Sequence, residues 1–402
     1  MVKISFLGDI MCEEPMLNAA KIDDRDYDFS RMFSGLRESC KQSDYVVGNL
    51  ETPFAGEDKK YTHEMYAFNT PDCFAEAVKE AGINLVLTAN NHCYDRGIDG
   101  MKRTIEVLNS CDLAHVGTFA HACDDVPFQT TLEGIRVAVI ACTASTNPVL
   151  TRLEPSNENV CLLDKQTVHT AEGTGKGVLR WGWNFAVKNV IGEMNYMKFR
   201  KRIGLSPKRP KMDNTLNKET AEPYIEHVCS LIREAKTNSD IVFVCPHMGG
   251  QFNIEPGAFS KYVMSRLVDA GADAVVACHP HIIQKMELKG KVPCAFSLGN
   301  VSMSLSTAYV IRNELPDYGM MLHFYLEDKS IRKITYSLIK MNEDEKGYIT
   351  VGTVYNLYQN AEKQEKKKIR QDAQRVIRRI MQSDEIEIND ISEEWEFCNF
   401  ES

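Results

Sequence analysis

No apolar run in this 402-residue sequence is long enough to cross a bilayer. The opening MVKISFLGDIMCEEP has too short an apolar stretch for a secretory signal and already carries Asp9, Glu13 and Glu14. Positive charge is not in excess: 47 Lys and Arg stand against 56 Asp and Glu, a formal charge of -9. That balance argues against bulk attraction to nucleic acid or anionic lipid, so neither is an expected partner, although local basic patches stay open. The 13 cysteines include no CxxC pair, and their odd number and scatter do not describe a disulfide framework. Reduced thiols in a cytoplasmic protein are the expectation. There is no internal repeat, and EGTGKG at Glu172–Gly177 lacks the GxxxxGK[ST] spacing and a preceding apolar strand, which excludes a nucleotide loop.

What is present is a globular composition, 43% hydrophobic and 26% charged, in which short β-branched runs alternate with helical spacing. Strands are expected over Val2–Leu7, Asp44–Val47, Asn84–Leu87, Arg136–Ala141, Ile241–Val244, Ala274–Ala277 and Cys294–Ser297. Helices are expected over Arg31–Gln42, Pro71–Ala81, Gly97–Cys111, Ala221–Lys236 and Gly257–Ala270. Residues 151–220 lack strand periodicity, hold the basic run Lys198–Lys211, and read as an insertion that could form a lid. Tyr318–Met341 alternates around Asp328-Lys329 as a β-hairpin. An amphipathic helix from Ala361 to Met381 and an acidic tail follow, so the chain divides into a core domain at 1–341 and a C-terminal segment at 342–402.

Chemically capable residues gather just past the strand ends, where α/β sheets collect ligands: GDIM, GNLE, ANNH, PHMGG, CHPH and SLGN. Alone, Asp9 reads more readily as a turn or cap residue and His247 as a structural histidine, while Glu51 reads equally as a first-turn glutamate at a helix dipole. Asp95, three residues after His92, could orient that imidazole or cap the next helix. His279 and His281 are the sharpest local signal, two imidazoles at alternate positions beyond an apolar strand. Together Asp9, Glu51, Asn91, His247, His279 and His281 make a mixed nitrogen and oxygen set suited to one or two divalent transition ions, manganese, iron or zinc, rather than calcium. His92 and Asp95 are the candidate catalytic residues, and Asn49 and Asn300 the candidate substrate contacts.

Taken in order, FLGDIM, GNLETPF, LTANNHCYDRG, PHMGGQF, CHPHIIQ and FSLGN resemble the capsule-synthesis CapA family, a branch of the calcineurin-like metallophosphoesterases. The resemblance implies an α/β fold, a four-layer α-β-β-α sandwich of two mixed sheets with the metal site at the strand ends. It also implies Glu51, Asn91, His247 and His279 around one ion, Asp9, Glu51 and His281 around another, and His92 as the acid of catalysis. This chain departs from the general metallophosphoesterase pattern in having Met11 where a histidine stands two residues after the first Asp, and Glu rather than Asp at position 51. The implied function is metal-dependent hydrolysis of a phosphoester or similar anionic bond in a small molecule or polymer. The alternatives are a capsule or poly-γ-glutamate biosynthesis factor that binds polymer without turnover, or a γ-glutamyl amide hydrolase.

Overall fold

A strand whose successive residues are all apolar must bury both faces, because alternate side chains point to opposite sides. In the computed structural model, which describes residues 1–23, 26–168 and 212–400, this sorting builds two sheets. β1 (Val2–Ile10), β2 (Tyr45–Leu50), β3 (Leu85–Leu87) and β4 (Ala114–Val116) run parallel. β5 (Phe128–Leu132), β6 (Ile135–Thr143), β7 (Ile241–His247), β8 (Ala274–Val276), β9 (Met286–Lys289) and β10 (Val292–Ala295) form the second sheet in the order β5-β6-β7-β8-β10-β9. The chain then returns to the first sheet through β11 (Asn300–Ser302), β12 (Tyr318–Glu327), β13 (Ser330–Glu343), β14 (Ile349–Thr353) and β15 (Trp395–Asn399). That sheet is ordered β14-β13-β12-β1-β2-β3-β4, with β11 beside β1 and β15 beside β13.

Three apolar interfaces separate the layers. Between the sheets, Ile4, Phe6, Leu85 and Leu87 meet Val137, Val139 and Phe243. The intervening residues Val46 and Val86 face outward onto Phe74, Val78 and Leu108 from the helices Cys73–Glu80 and Gly97–Ser110. On the far side, Ile140, Val242 and Val244 pack on Ile225, Val228 and Ile232 of the helix Lys218–Asn238 and on Val263 and Leu267 of the helix Ala258–Asp269. Three interfaces make four layers, the expected α-β-β-α sandwich.

Several local expectations are corrected. The helix expected over Arg31–Gln42 is confined to Arg37–Lys41, because Gly35 lies against the backbone of Val351 and bridges Gly352, which takes the chain out of helical geometry. Position 341 is no boundary: β13 continues to Glu343, β14 and β15 complete the first sheet, and the helix Lys363–Met381 sends Ile369, Val376, Ile377 and Ile380 into the central cluster. Within 151–220, Val160–Leu163 are core residues that bridge to Thr118 and Thr143, and the helix Lys218–Asn238 starts before the expected edge. The lid reading, EGTGKG and the basic run Lys198–Lys211 fall on residues 169–211, outside those described. No helix among the described residues is long and apolar enough to cross a membrane, and the described cysteines are free thiols.

Candidate metal centre

The carboxyl ends of both sheets converge on one point. Asp9 pairs with Asn49 of β2 and with Asn300 of β11, so strand registration fixes where its carboxylate emerges. Gly8 permits this: a Cβ there would lie 1.9 Å from the carbonyl oxygen of Gly299. Glu51 immediately follows β2, and no helix begins there, which removes the helix-dipole reading. His247 is the last residue of β7. His279 and His281 follow β8 in left-handed backbone, with φ of 108° and 56°.

Four donor atoms surround one position. His247 Nε2 lies 2.6 Å from Oδ1 of Asn91, 3.0 Å from Nδ1 of His279 and 3.5 Å from Oε1 of Glu51. Asp9, Glu51 and His281 make a second group, with donor atoms within 4.8 Å of one another, so Glu51 is common to both. His281 Nδ1 is 3.2 Å from Asp9 Oδ2, which leaves Nε2 facing Glu51 at 3.9 Å. Met11 adds nothing here, since its side chain belongs to the outer apolar cluster.

The donor set fits a cation on a specific observation. Both oxygens of Glu51 and Nε2 of His281 are buried without a hydrogen-bond partner among the described residues. A carboxylate withdrawn from water without donors costs several kcal/mol, and a divalent ion is the partner that would offset it. The protonation states of Asp9 and His279 agree. Burial pushes Asp9 up, but the hydrogen bond and charge of His281, the charge of His247 and the Asn49 amide outweigh it and hold the carboxyl below its ordinary value. Burial and the neighbouring His247 and His281 drive His279 well below its ordinary value, keeping it the neutral imidazole that ligation requires. Burial also opposes the charge on His281, yet Glu51 and Asp9 raise it to about 9, so an ion there competes with a proton.

His92 stands at the edge of the same group. Its Nδ1 is 2.6 Å from Asp95 Oδ2 and its Nε2 is 3.8 Å from Glu51 Oε1. Asp95 also accepts from the Phe68 amide at 2.7 Å and makes no cap to the helix Gly97–Ser110, so of its two readings the orienting one holds. Burial lowers His92, but the charge and hydrogen bond of Asp95 and the charge of Glu51 carry it above its ordinary value.

The two asparagines expected to meet substrate are turned inward. Asn49 donates to Asp9 at 2.7 Å and sits 3.2 Å from His247 Nδ1. Asn300 is fully buried, with Oδ1 at 3.0 Å from His281 Nδ1 and its amide nitrogen donating to the carbonyls of His281 and Pro316. Both hold candidate ligand side chains in place instead. Residues that sequence reasoning passed over support the centre as well. Asn90 ties the end of β2 to the loop by donating to the Leu50 carbonyl and accepting from the His92 amide, and the doubled Asn of TANNH was its signal. Phe68 stacks on the His92 ring at 4.1 Å, and nothing in its sequence neighbourhood marks it.

The family model of the bacterial capsule synthesis protein PGA_cap matches residues 3–304. The chain is 26% identical over 304 residues to the capsule biosynthesis protein CapA of Bacillus anthracis, covering 74% of this chain and 58% of that one. It is 24% identical over 301 residues to the PGA biosynthesis protein CapA of Bacillus subtilis (strain 168), covering 75% and 63%. The chain therefore spans about three-fifths of the length of these relatives. Among solved structures, a hypothetical protein from Thermus thermophilus aligns at 12% identity with a TM-score of 0.43, over 84% of this chain and 98% of that one. A 5'-nucleotidase from Candida albicans SC5314 aligns at 12% identity with a TM-score of 0.40, over 93% and 57%. The matched span contains every residue of the centre, from Asp9 to Asn300, and the chain belongs to the bacterial capsule synthesis protein PGA_cap family.

Proposed function

We propose that this chain is a metal-dependent hydrolase that cleaves a phosphoester or similar anionic bond with water. The observation that carries the reading is the buried carboxylate of Glu51, without a hydrogen-bond partner among the described residues, between the two donor groups. Glu51, Asn91, His247 and His279 would hold one ion, and Asp9, Glu51 and His281 a second. When bound, a divalent manganese, iron or zinc ion supplies Lewis acidity, polarising the scissile group and making water acidic enough to attack near neutral pH. Asn49 and Asn300 act as positioning residues, fixing the imidazoles of His247 and His281 so that one nitrogen of each faces the centre. His92, oriented by Asp95 and raised in pKa, holds a proton on Nε2 for the departing oxygen.

With three protein donors against four, the Asp9–Glu51–His281 group should bind more weakly. Elemental analysis of protein purified without chelator should find bound transition metal, and His247→Ala and His279→Ala should each lower it. A metal-free wild type, or unchanged content in both variants, would overturn the assignment. Turnover of an aryl phosphate with manganese supports the hydrolase. The family match favours a second reading, a capsule-synthesis factor that binds an anionic polymer at the same centre. Binding of poly-γ-glutamate without turnover would select that reading, and release of glutamate would select a γ-glutamyl amide hydrolase.

A further inference from the structure

A cavity of about 100 Å³ adjoins the four-donor group, with Asn91, His247 and His279 forming one wall. Its other walls carry the hydroxyls of Ser145 and Thr215, the apolar surfaces of Met248 and Phe259, and two carboxylates, Asp164 and Asp213. No lysine or arginine lines it among the described residues. The two acids differ in how their charge is used. Asp213 is buried with both oxygens engaged, accepting from the Gly257 amide and, at 3.0 and 2.7 Å, from the amide and hydroxyl of Ser260. It closes the N-terminus of the helix Ala258–Asp269, where the helix dipole offsets its charge. Asp164 accepts from the Lys165 amide at 2.8 Å and forms no ion pair among the described residues, while the Lys165 side chain is exposed rather than part of the lining. Burial pushes the Asp164 carboxyl up, against the opposing pull of the Thr220 hydroxyl and the Lys165 amide, the direction expected of an acid short of a cationic neighbour.

An anion-binding pocket is lined with arginine, lysine or backbone amides. Among the described residues this one presents a carboxylate without a cationic partner, together with hydroxyls, the lining that suits a hydrogen-bond donor bearing positive charge. A cavity of this size admits a short chain with a terminal group. We infer that the cavity takes the part of the substrate beyond the scissile bond, and that this part is a short chain ending in a protonated amine, held by Asp164 with Ser145 and Thr215. The inference rests on the hydrolase reading and narrows it: the reacting group is anionic, and the group it leaves on is cationic.

Three two-carbon alkyl phosphates test it, ending in an amine, a hydroxyl or a carboxylate: O-phosphoethanolamine, 2-hydroxyethyl phosphate and 2-phosphoglycolate. A hydrogen bond to a charged group corresponds to about ten- to a hundredfold, so kcat/KM for the amine should exceed that for the hydroxyl by at least about tenfold, with the carboxylate lowest. Asp164→Asn should bring the amine-over-hydroxyl ratio to within about threefold, and Asp164→Glu, which keeps the charge, should retain most of the preference. The Glu variant guards against misreading a folding defect in the Asn variant. Turnover of an aryl phosphate with equal or carboxylate-favouring kinetics in the series, or a preference that survives Asp164→Asn, overturns the inference and leaves the hydrolase standing. Absence of turnover on every phosphate, the aryl ester included, removes the hydrolase reading and the inference together.

Discussion

His279 and His281 both occupy left-handed backbone, which costs a non-glycine residue on the order of 1–2 kcal/mol. The chain carries that strain at two positions of one tetrapeptide because the turn brings both rings, 5.7 Å apart, onto Glu51 and its neighbours. The spacing in CHPH announced the pair, but not the backbone that aims it, since φ at a histidine leaves no mark in composition. His92 differs from these residues in what it touches. Asp95 holds its Nδ1, the ring rests on Phe68, and its Nε2 faces Glu51 from 3.8 Å, beyond either cluster of ligand atoms. General acid catalysis contributes about 10²–10⁴-fold. His92→Ala is therefore expected to keep its metal content and thermal midpoint while losing turnover by a factor in that range, and to lose less on an aryl phosphate, whose leaving group needs little protonation. Loss of metal along with activity would make His92 a ligand, and unchanged turnover on alkyl and aryl esters alike would remove it from the mechanism.

Short elements, unlike the long ones, owe their existence to what lies beside them. β11 has three residues, too few for any period to declare it, yet it supplies the Asn300 that holds His281 and pairs with Asp9. Its approach to β1 depends on Gly8, against which the Gly299 carbonyl packs, and the Asp9 amide donates to that carbonyl at 3.0 Å. Gly8→Ala should therefore displace β11 and with it the second ligand group, lowering both thermal midpoint and metal content. Gly134 is the control: its φ of 83° strains an alanine by about 1–2 kcal/mol, but a Cβ there meets nothing within 4 Å. Gly134→Ala should lose some stability and keep its metal, and a Gly8→Ala protein with full metal content would refute the coupling. The elements legible beforehand were those with a long pattern: the hairpin, whose turn residues Asp328 and Lys329 both have positive φ, and the helices Gly97–Ser110 and Ala258–Asp269, recovered within a residue at each end. β4, β11 and β15 escaped because pairing with strands distant in sequence, rather than local periodicity, makes them strands.

The whole molecule is closed by its far ends. The tail read from sequence as an acidic run returns as β15 along β13, and its Glu394 reaches β1, accepting from Lys3 Nζ at 2.5 Å, from the Thr335 hydroxyl at 2.5 Å and from the Tyr325 hydroxyl at 2.8 Å. Net acidity hid this role, since the dense carboxylates between Asp384 and Glu396 read as solvated until one of them is seen to have three donors. Burial alone would raise Glu394, but the Lys3 and Thr335 hydrogen bonds and the charges of His323 and Lys3 bring it down from an ordinary 4.5 to about 2. A carboxyl whose pKa is lower in the folded than in the unfolded state adds stability that is fully present above the unfolded value and is lost as pH falls toward the folded one. The Lys3–Glu394 latch should accordingly contribute its full amount above about pH 5 and fade between about 4.5 and 2, by an amount that partial exposure of Glu394 keeps modest. Urea unfolding of the wild type and of Glu394→Gln across that range checks it. The variant should be less stable at pH 7, and the gap should shrink as pH falls through the window, because protonation makes the wild-type side chain as neutral as the amide. A gap that stays constant from pH 7 to 3 would mean that packing of β15, and not the charge of Glu394, fastens the tail to the first strand of the chain.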